Sequence, residues 1–276
     1  MSRLIDYNEL WKLLIRRRGF DPRADVDPVD FWDRRAKNYL DATVSPDDKC
    51  HELDLIDVRA GDTVLDVGAG VGRLAVPIAG KCAHITVVEP SASMMAHLKK
   101  NMEDSGFRNY TMVRKRWEDV ATGSDIDRHD VVISAFSMGV LDAEEALLKL
   151  DRAAKREVYV FWFAGEQDFD GLLTWLKEQG IENGQENDSL PDYIHLVNIL
   201  HQAGIHANIR IMDNKWSAAY PGVEGAVASA IESGTVSPEN AEQAKRYYES
   251  IMVAGENGEC IIPKKKKQAM ISWKKD

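Results

Sequence analysis

The stretch TVLDVGAGVGRLAVPIAG, Thr63 to Gly80, constrains the fold more than any other part of the chain. Branched apolar residues run up to Asp66, as in a buried strand. Gly68, Gly70 and Gly72 follow at alternating positions, and a helical pattern then resumes. Strand, glycine turn and helix together bring bare backbone against a ligand, because glycine has no Cβ to hold it off. The helix that follows offers unpaired N–H groups and the positive end of its dipole. An acidic residue about 20 positions later, at the tip of the next strand, completes such a site by holding ribose hydroxyls. Here it is Glu89, in TVVEP with Pro90 behind it. The spacing departs from the dinucleotide pattern G-x-G-x-x-G, since Arg73 stands where the third glycine would fall. A ligand with an amino-acid tail in place of pyrophosphate fits this turn better.

The same alternation continues along the chain. TVLDVG, HITVVEP, YTMVRKRW, HDVVISAF, REVYVFWF and HANIRIM read as strands, and helical patterns fall between most of them. Continuous apolar strands separated by helices predict a mostly parallel α/β sheet covered on both faces. A closing strand, KQAMISWKKD, makes seven. Two helical patterns precede the first strand, one from Tyr7 to Arg18 and one in FWDRRAKNYLDATV. Between about Lys215 and Gly258 there is no strand signal, and two helical stretches fill the gap. The expected organisation is a helical lid over 1–50, a ligand-binding core over 51–214, a helical cap inserted at 215–258 and a final core strand at 259–276.

Composition narrows the classes of partner. Hydrophobic residues are 44% and charged residues 29% of the chain, enough for a packed core. Asp plus Glu number 45 against 35 Lys plus Arg, a net charge of −10. That balance argues against a protein whose main role is gripping phosphate backbones, so nucleic acid is not expected as a partner. The three cysteines, Cys50, Cys82 and Cys260, form no CxxC pair, which points to reduced thiols in a cytoplasmic protein and not to zinc. No stretch approaches the length of a membrane span. Oligomeric state is not legible in the sequence.

With these residues in place, a resemblance is clear. VLDVGAGVGRLA resembles motif I of the class I S-adenosylmethionine-dependent methyltransferases, which have a Rossmann-like core. VVEPSASMM resembles their second motif, FWDRRAKNYLD the helix that many small-molecule members place before the core, and HDVVISAFSMGVLD their fourth-strand segment. The resemblance implies S-adenosylmethionine as cofactor. It implies that Asp66, Gly68, Ala69 and Gly70 line the methionine end, that Glu89 takes the ribose hydroxyls and that Met94 packs on adenine. Trp117 and Glu118 would bound the adenine edge. Arg116 stands where the family often has an aspartate, which leaves open whether Glu118 or Asp119 reaches the adenine amine. Ser134, Ala135 and Phe136 would run beneath the methionine moiety. Trp32 and Tyr39 are candidates to close over the sulfonium, where aromatic faces attract a cation.

The expected function is in-line methyl transfer to a small-molecule acceptor. Methylation of a protein or RNA side chain is the alternative, favoured by the lysine run PKKKKQ. A nicotinamide-dependent oxidoreductase is a weaker one, and a cofactor-binding protein without turnover has no residue in its favour. Trp216, Tyr220, Tyr247 and Tyr248 in the insertion are candidates for the acceptor pocket. The chemistry is catalysis by proximity and orientation, and the sequence names no general base.

Overall fold

The computed structural model describes residues 4–17, 29, 33, 51–165, 171–181, 191–214, 217–232, 235–255, 259–263 and 266–275. The core strands are β1 (Thr63–Val67), β2 (His84–Val88), β3 (Tyr110–Val113), β4 (His129–Ala135) and β5 (Ala154–Ala164). They are joined by α2 (Ala75–Ala79), α3 (Ala92–Asp104) and α4 (Ala143–Ala153), and α1 (Tyr7–Arg17) precedes them. After β5 come α5 (Leu172–Glu178), α6 (Tyr193–Gln202) and β6 (Asn208–Asn214). The chain then gives β7 (Ser217–Tyr220), α7 (Val223–Glu232), α8 (Ala241–Ile251), β8 (Val253–Ala254), β9 (Cys260–Pro263) and β10 (Lys266–Lys274).

The predicted seven-stranded sheet is present, in the order β3-β2-β1-β4-β5-β10-β6. β1 to β5 run parallel, and β10 is antiparallel to both β5 and β6. The central strands are apolar on both faces because helices cover both. On one face Val64, Ile85, Val87, Val131, Ile133 and Phe161 pack with Ile78 of α2 and Leu98 and Met102 of α3. On the other, Leu65, Val132, Val158, Val160 and Trp162 pack with Leu147 and Leu150 of α4 and Leu196 and Ile199 of α6. Each such side chain contributes about 1.5–3 kcal/mol on burial. The helices start where side chains replace missing backbone partners: Ser91 accepts from the Met94 N–H at the head of α3, and Asp142 accepts from the Glu145 N–H at the head of α4.

Two expectations change. The described helix of the expected N-terminal lid is built into the core face. Trp11 and Ile15 of α1 are fully buried with α4 and α6, and Trp11 Nε1 donates to the Val140 carbonyl at 2.8 Å. Asn8 ties α1 to the head of α4, donating to Asp142 Oδ1 and accepting from the Glu144 N–H, each at 3.0 Å. The insertion, read as helical, also contributes to a three-stranded sheet in the order β7-β9-β8. The segment expected as one final strand is divided, with β9 in this small sheet and β10 in the core.

The cap has its own apolar core. Leu172 and Leu176 of α5 pack with Ala226 and Ala230 of α7, Ala244, Tyr247 and Tyr248 of α8, Val236 and Ile262. Its connection to the main sheet is regular. Asn214 pairs with Lys266 at the end of the β6–β10 ladder, and Ser217 pairs with Pro263 at the start of the β7–β9 ladder. The two ladders share one register, the sum of paired residue numbers being the same in both. Among the described residues, no helix is long and apolar enough to cross a membrane.

Candidate cofactor-binding site

The carboxyl ends of β1, β2 and β4 lie side by side in the sheet, and most of the predicted residues stand there. Each glycine of the turn has positive φ, a conformation L side chains rarely adopt: 74° at Gly68, 55° at Gly70 and 90° at Gly72. Their surroundings differ. A Cβ on Gly68 would overlap the Ser137 side chain, and one on Gly72 would press on Val76 and Leu98 at 3.0 and 3.1 Å. A Cβ on Gly70 would meet no atom of the described residues within 4 Å. Gly68 and Gly72 are therefore glycines for packing, while at Gly70 the backbone faces open space where a ligand can approach.

Glu89 faces this turn. It is buried, and each carboxylate oxygen is held by backbone: Oε2 accepts from the Gly70 N–H and Oε1 from the Ser91 N–H, both at 2.9 Å. Burial pushes its pKa up, and the two N–H groups oppose that shift. Each oxygen keeps acceptor capacity for a further donor, as a pair of ribose hydroxyls requires.

Asp66 lies below the turn, 2% exposed, and its Oδ2 has no hydrogen-bond partner among the described residues. Burial raises its pKa to about 7; the Arg73 charge lowers it and the Glu89 charge raises it further. A buried carboxyl oxygen without a donor fits a ligand bearing an ammonium group, because it otherwise costs about 1–3 kcal/mol to leave unpaired.

The tip of β4 supplies the opposite wall. Ser134 is fully buried and shares a hydrogen bond of 2.8 Å with Ser137, whose Oγ donates to the Val67 carbonyl at 2.6 Å. Ala135 and Phe136 follow, half-buried. Phe136 has φ of 56°, the sole non-glycine residue with positive φ among those described. Its N–H donates to the Phe161 carbonyl at 2.9 Å, and its ring packs on Phe163 at 4.9 Å between centroids. Backbone strain of this kind persists only where the surroundings impose it, and it gathers at functional sites.

The remaining predicted residues divide. Ala69 and Met94 are buried beside the turn and in the first turn of α3, and Pro90 is half-buried between them and Glu89. Trp117 is buried in the core face, not at an open edge: its Nε1 donates to the Ala146 carbonyl at 3.1 Å. Glu118 and Asp119 are both exposed, next to it in a short 3-10 helix. Trp32 and Tyr39 lie outside the described residues.

Three residues escaped the sequence reading. Ser137 locks the tips of β1 and β4 together. Lys149 of α4 donates to the carbonyls of Trp117, Glu118 and Val120 at 2.8–3.1 Å and lies 5.3 Å from the Trp117 ring centroid. It thereby fixes the loop after β3. Its one sequence signal was its place among leucines in LLKL, on a helix whose inner face is apolar. The third, Asp33, is taken up below.

A mostly parallel sheet with an antiparallel next-to-edge strand, a glycine turn at the carboxyl end of β1 and an acid at the tip of β2 form a Rossmann-like nucleotide-binding arrangement. A family model described as a methyltransferase domain matches residues 64–157. An uncharacterized protein of Haemophilus influenzae is 28% identical over 255 residues, 89% of each chain. A ribosomal RNA small subunit methyltransferase G of Mycolicibacterium gilvum is 32% identical over 140 residues, and the match spans about half of each chain. A solved S-adenosylmethionine-dependent methyltransferase of Aquifex aeolicus shares the fold at TM-score 0.50 and 18% identity, covering 65% of this chain and 91% of that one. Over residues 64–157 the chain carries a methyltransferase domain, and the sheet around it has the Rossmann-like fold of S-adenosylmethionine-dependent methyltransferases.

Proposed function

We propose that the chain methylates a small-molecule acceptor held between the carboxyl ends of β4 and β5 and the cap. The observation that carries this reading is the Phe136–Phe163 ring pair, set at that edge by a strained backbone. Two packed rings beside the cofactor turn make an apolar floor that suits a compact acceptor. The net charge of −10 supports the same reading, since an RNA substrate must be drawn to basic surface. It also suits a cytoplasmic enzyme.

The cofactor supplies a methyl already electrophilic on a positive sulfur. The chain has to hold the two reactants in line and exclude water. Glu89 and the Gly70 backbone orient the ribose, Asp66 receives the ammonium of the methionine tail, and Ser134 to Phe136 bound the sulfur side. The cap closes the edge opposite, with Tyr247 and Tyr248 as part of its core and Tyr220 at its rim.

The matched ribosomal RNA methyltransferase favours an RNA acceptor, the second reading. Incubation with methyl-labelled cofactor and separated metabolite, RNA and protein fractions decides between them. Label in a metabolite, identified by mass, is expected. Label confined to RNA or protein overturns the small-molecule reading.

A further inference from the structure

Asp33 lies far from the glycine turn in sequence, yet it is joined to the turn by hydrogen bonds. Its Oδ1 accepts from the Ser91 hydroxyl and, at 3.1 Å, from the Ser93 N–H. Ser91 Oγ in turn accepts from the Met94 N–H at 3.1 Å. The Ser91 N–H donates to Glu89 Oε1, and the Gly70 N–H donates to Glu89 Oε2. A carboxylate only accepts, so Asp33 fixes the direction of the Ser91 hydroxyl proton and leaves the serine oxygen free for Met94. It also adds negative charge at the head of a 13-residue helix, where the dipole favours it.

None of these groups completes a core cluster, and Ser91 is fully buried with every polar atom engaged. The arrangement resembles a linkage more than a packing contact. One end is the N-terminal segment, the other the carboxylate that faces the ribose. We infer that Asp33 is a positioning residue: through Ser91 it sets the orientation of Glu89 and so its grip on the ribose. The inference rests on Glu89 holding the ribose.

The test is calorimetry with S-adenosylhomocysteine and with its 2′-deoxy analogue, on the full chain. Asp33→Ala should bind S-adenosylhomocysteine about tenfold more weakly and lose most of the preference for it over the deoxy analogue. Asp33→Asn keeps the accepting oxygen and should recover to within about threefold of the parent. Ser91→Ala should weaken binding similarly, and the Asp33→Ala/Ser91→Ala double variant should be no weaker than the worse single by more than about twofold, since both cut one linkage. Glu89→Ala is measured in parallel. If it binds like the parent, the ribose assignment itself fails. If Glu89→Ala is weakened while Asp33→Ala keeps its affinity and its ribose preference, only the linkage fails. Additive losses in the double variant also overturn it. Should Asp33→Ala not fold, Asp33→Leu takes its place in the cycle, and unchanged ribose preference in that variant is again a refutation.

Discussion

Gly70→Ala separates what the glycine turn does for the fold from what it does for the ligand. The backbone there has φ of 55°, and an L residue in that conformation costs about 1–2 kcal/mol. Among the described residues nothing else is added, because the new Cβ meets none of their atoms within 4 Å. At about 2–4 °C of melting temperature per kcal/mol for a chain of this size, the free protein should melt about 2–8 °C lower. Gly68→Ala carries a similar conformational cost plus overlap with the Ser137 side chain, and overpacking adds about 1–3 kcal/mol. The ranking for stability is therefore parent, Gly70→Ala, Gly68→Ala. For the ligand the mild substitution should be the damaging one: the Gly70 methyl fills the space through which the cofactor reaches backbone, and affinity for S-adenosylhomocysteine should fall at least about tenfold, or 1.4 kcal/mol. Thermal melts without ligand and calorimetry with it give both numbers. A Gly70→Ala variant that binds like the parent refutes the reasoning, as does one that melts below Gly68→Ala.

Three other predictions concern groups that are paired, or left unpaired, inside the protein. Asp66 has a folded pKa of about 7 against about 3.9 unfolded, so its contribution to stability is complete below about pH 4 and is lost as pH rises to about 7. The melting temperature of Asp66→Asn relative to the parent should climb across that window without cofactor, and a flat difference would show that Asp66 is not buried neutral. Lys149→Met leaves three carbonyls of the loop after β3 without their donor and should cost about 2–3 kcal/mol in urea unfolding, with a loss below about 0.5 kcal/mol counting against the role given to Lys149. Tyr248→Ala empties a fully buried position in the cap core at about 3–5 kcal/mol, so hydrogen exchange should quicken across 217–263 and methyl transfer should fall, while S-adenosylhomocysteine affinity stays within about tenfold. Total loss of cofactor binding in that variant would place the cap in the cofactor site.

The sheet was legible because its signal is local. Strands such as TVLDV and HITVV are apolar on both faces, and only a doubly covered parallel sheet buries such runs. The glycine turn and Glu89 were legible for the same reason, as a spacing with a chemical meaning. β7, β8 and β9 were missed because they are four, two and four residues long and owe their state to pairing, not to pattern. α5 was missed as well, a seven-residue helix held by the cap core. Trp117 was read as bounding the adenine edge, but its indole turns inward because the Ala146 carbonyl and the apolar face of α4 are there to receive it. Asp33, Ser137 and Lys149 act through hydrogen bonds to partners 58, 70 and about 30 positions away. Such contacts leave no periodicity in a single sequence.

The shared register of the β6–β10 and β7–β9 ladders has a kinetic consequence. Pairing of Asn208 with Ser272 is a remote contact along the chain, and remote contacts are slow to form because loop closure precedes any gain. The cap shortens that search. Once α7 and α8 pack and the ladder from Tyr220–Cys260 to Ser217–Pro263 is made, Asn214 and Lys266 are in register to pair, and the ladder down to Asn208 and Ser272 has only a short loop to close. Kinetically the cap is the folded turn of one long hairpin that zips toward the main sheet. A lesion in its core, such as the one at Tyr248, thus reaches β6 as a delay in joining the sheet.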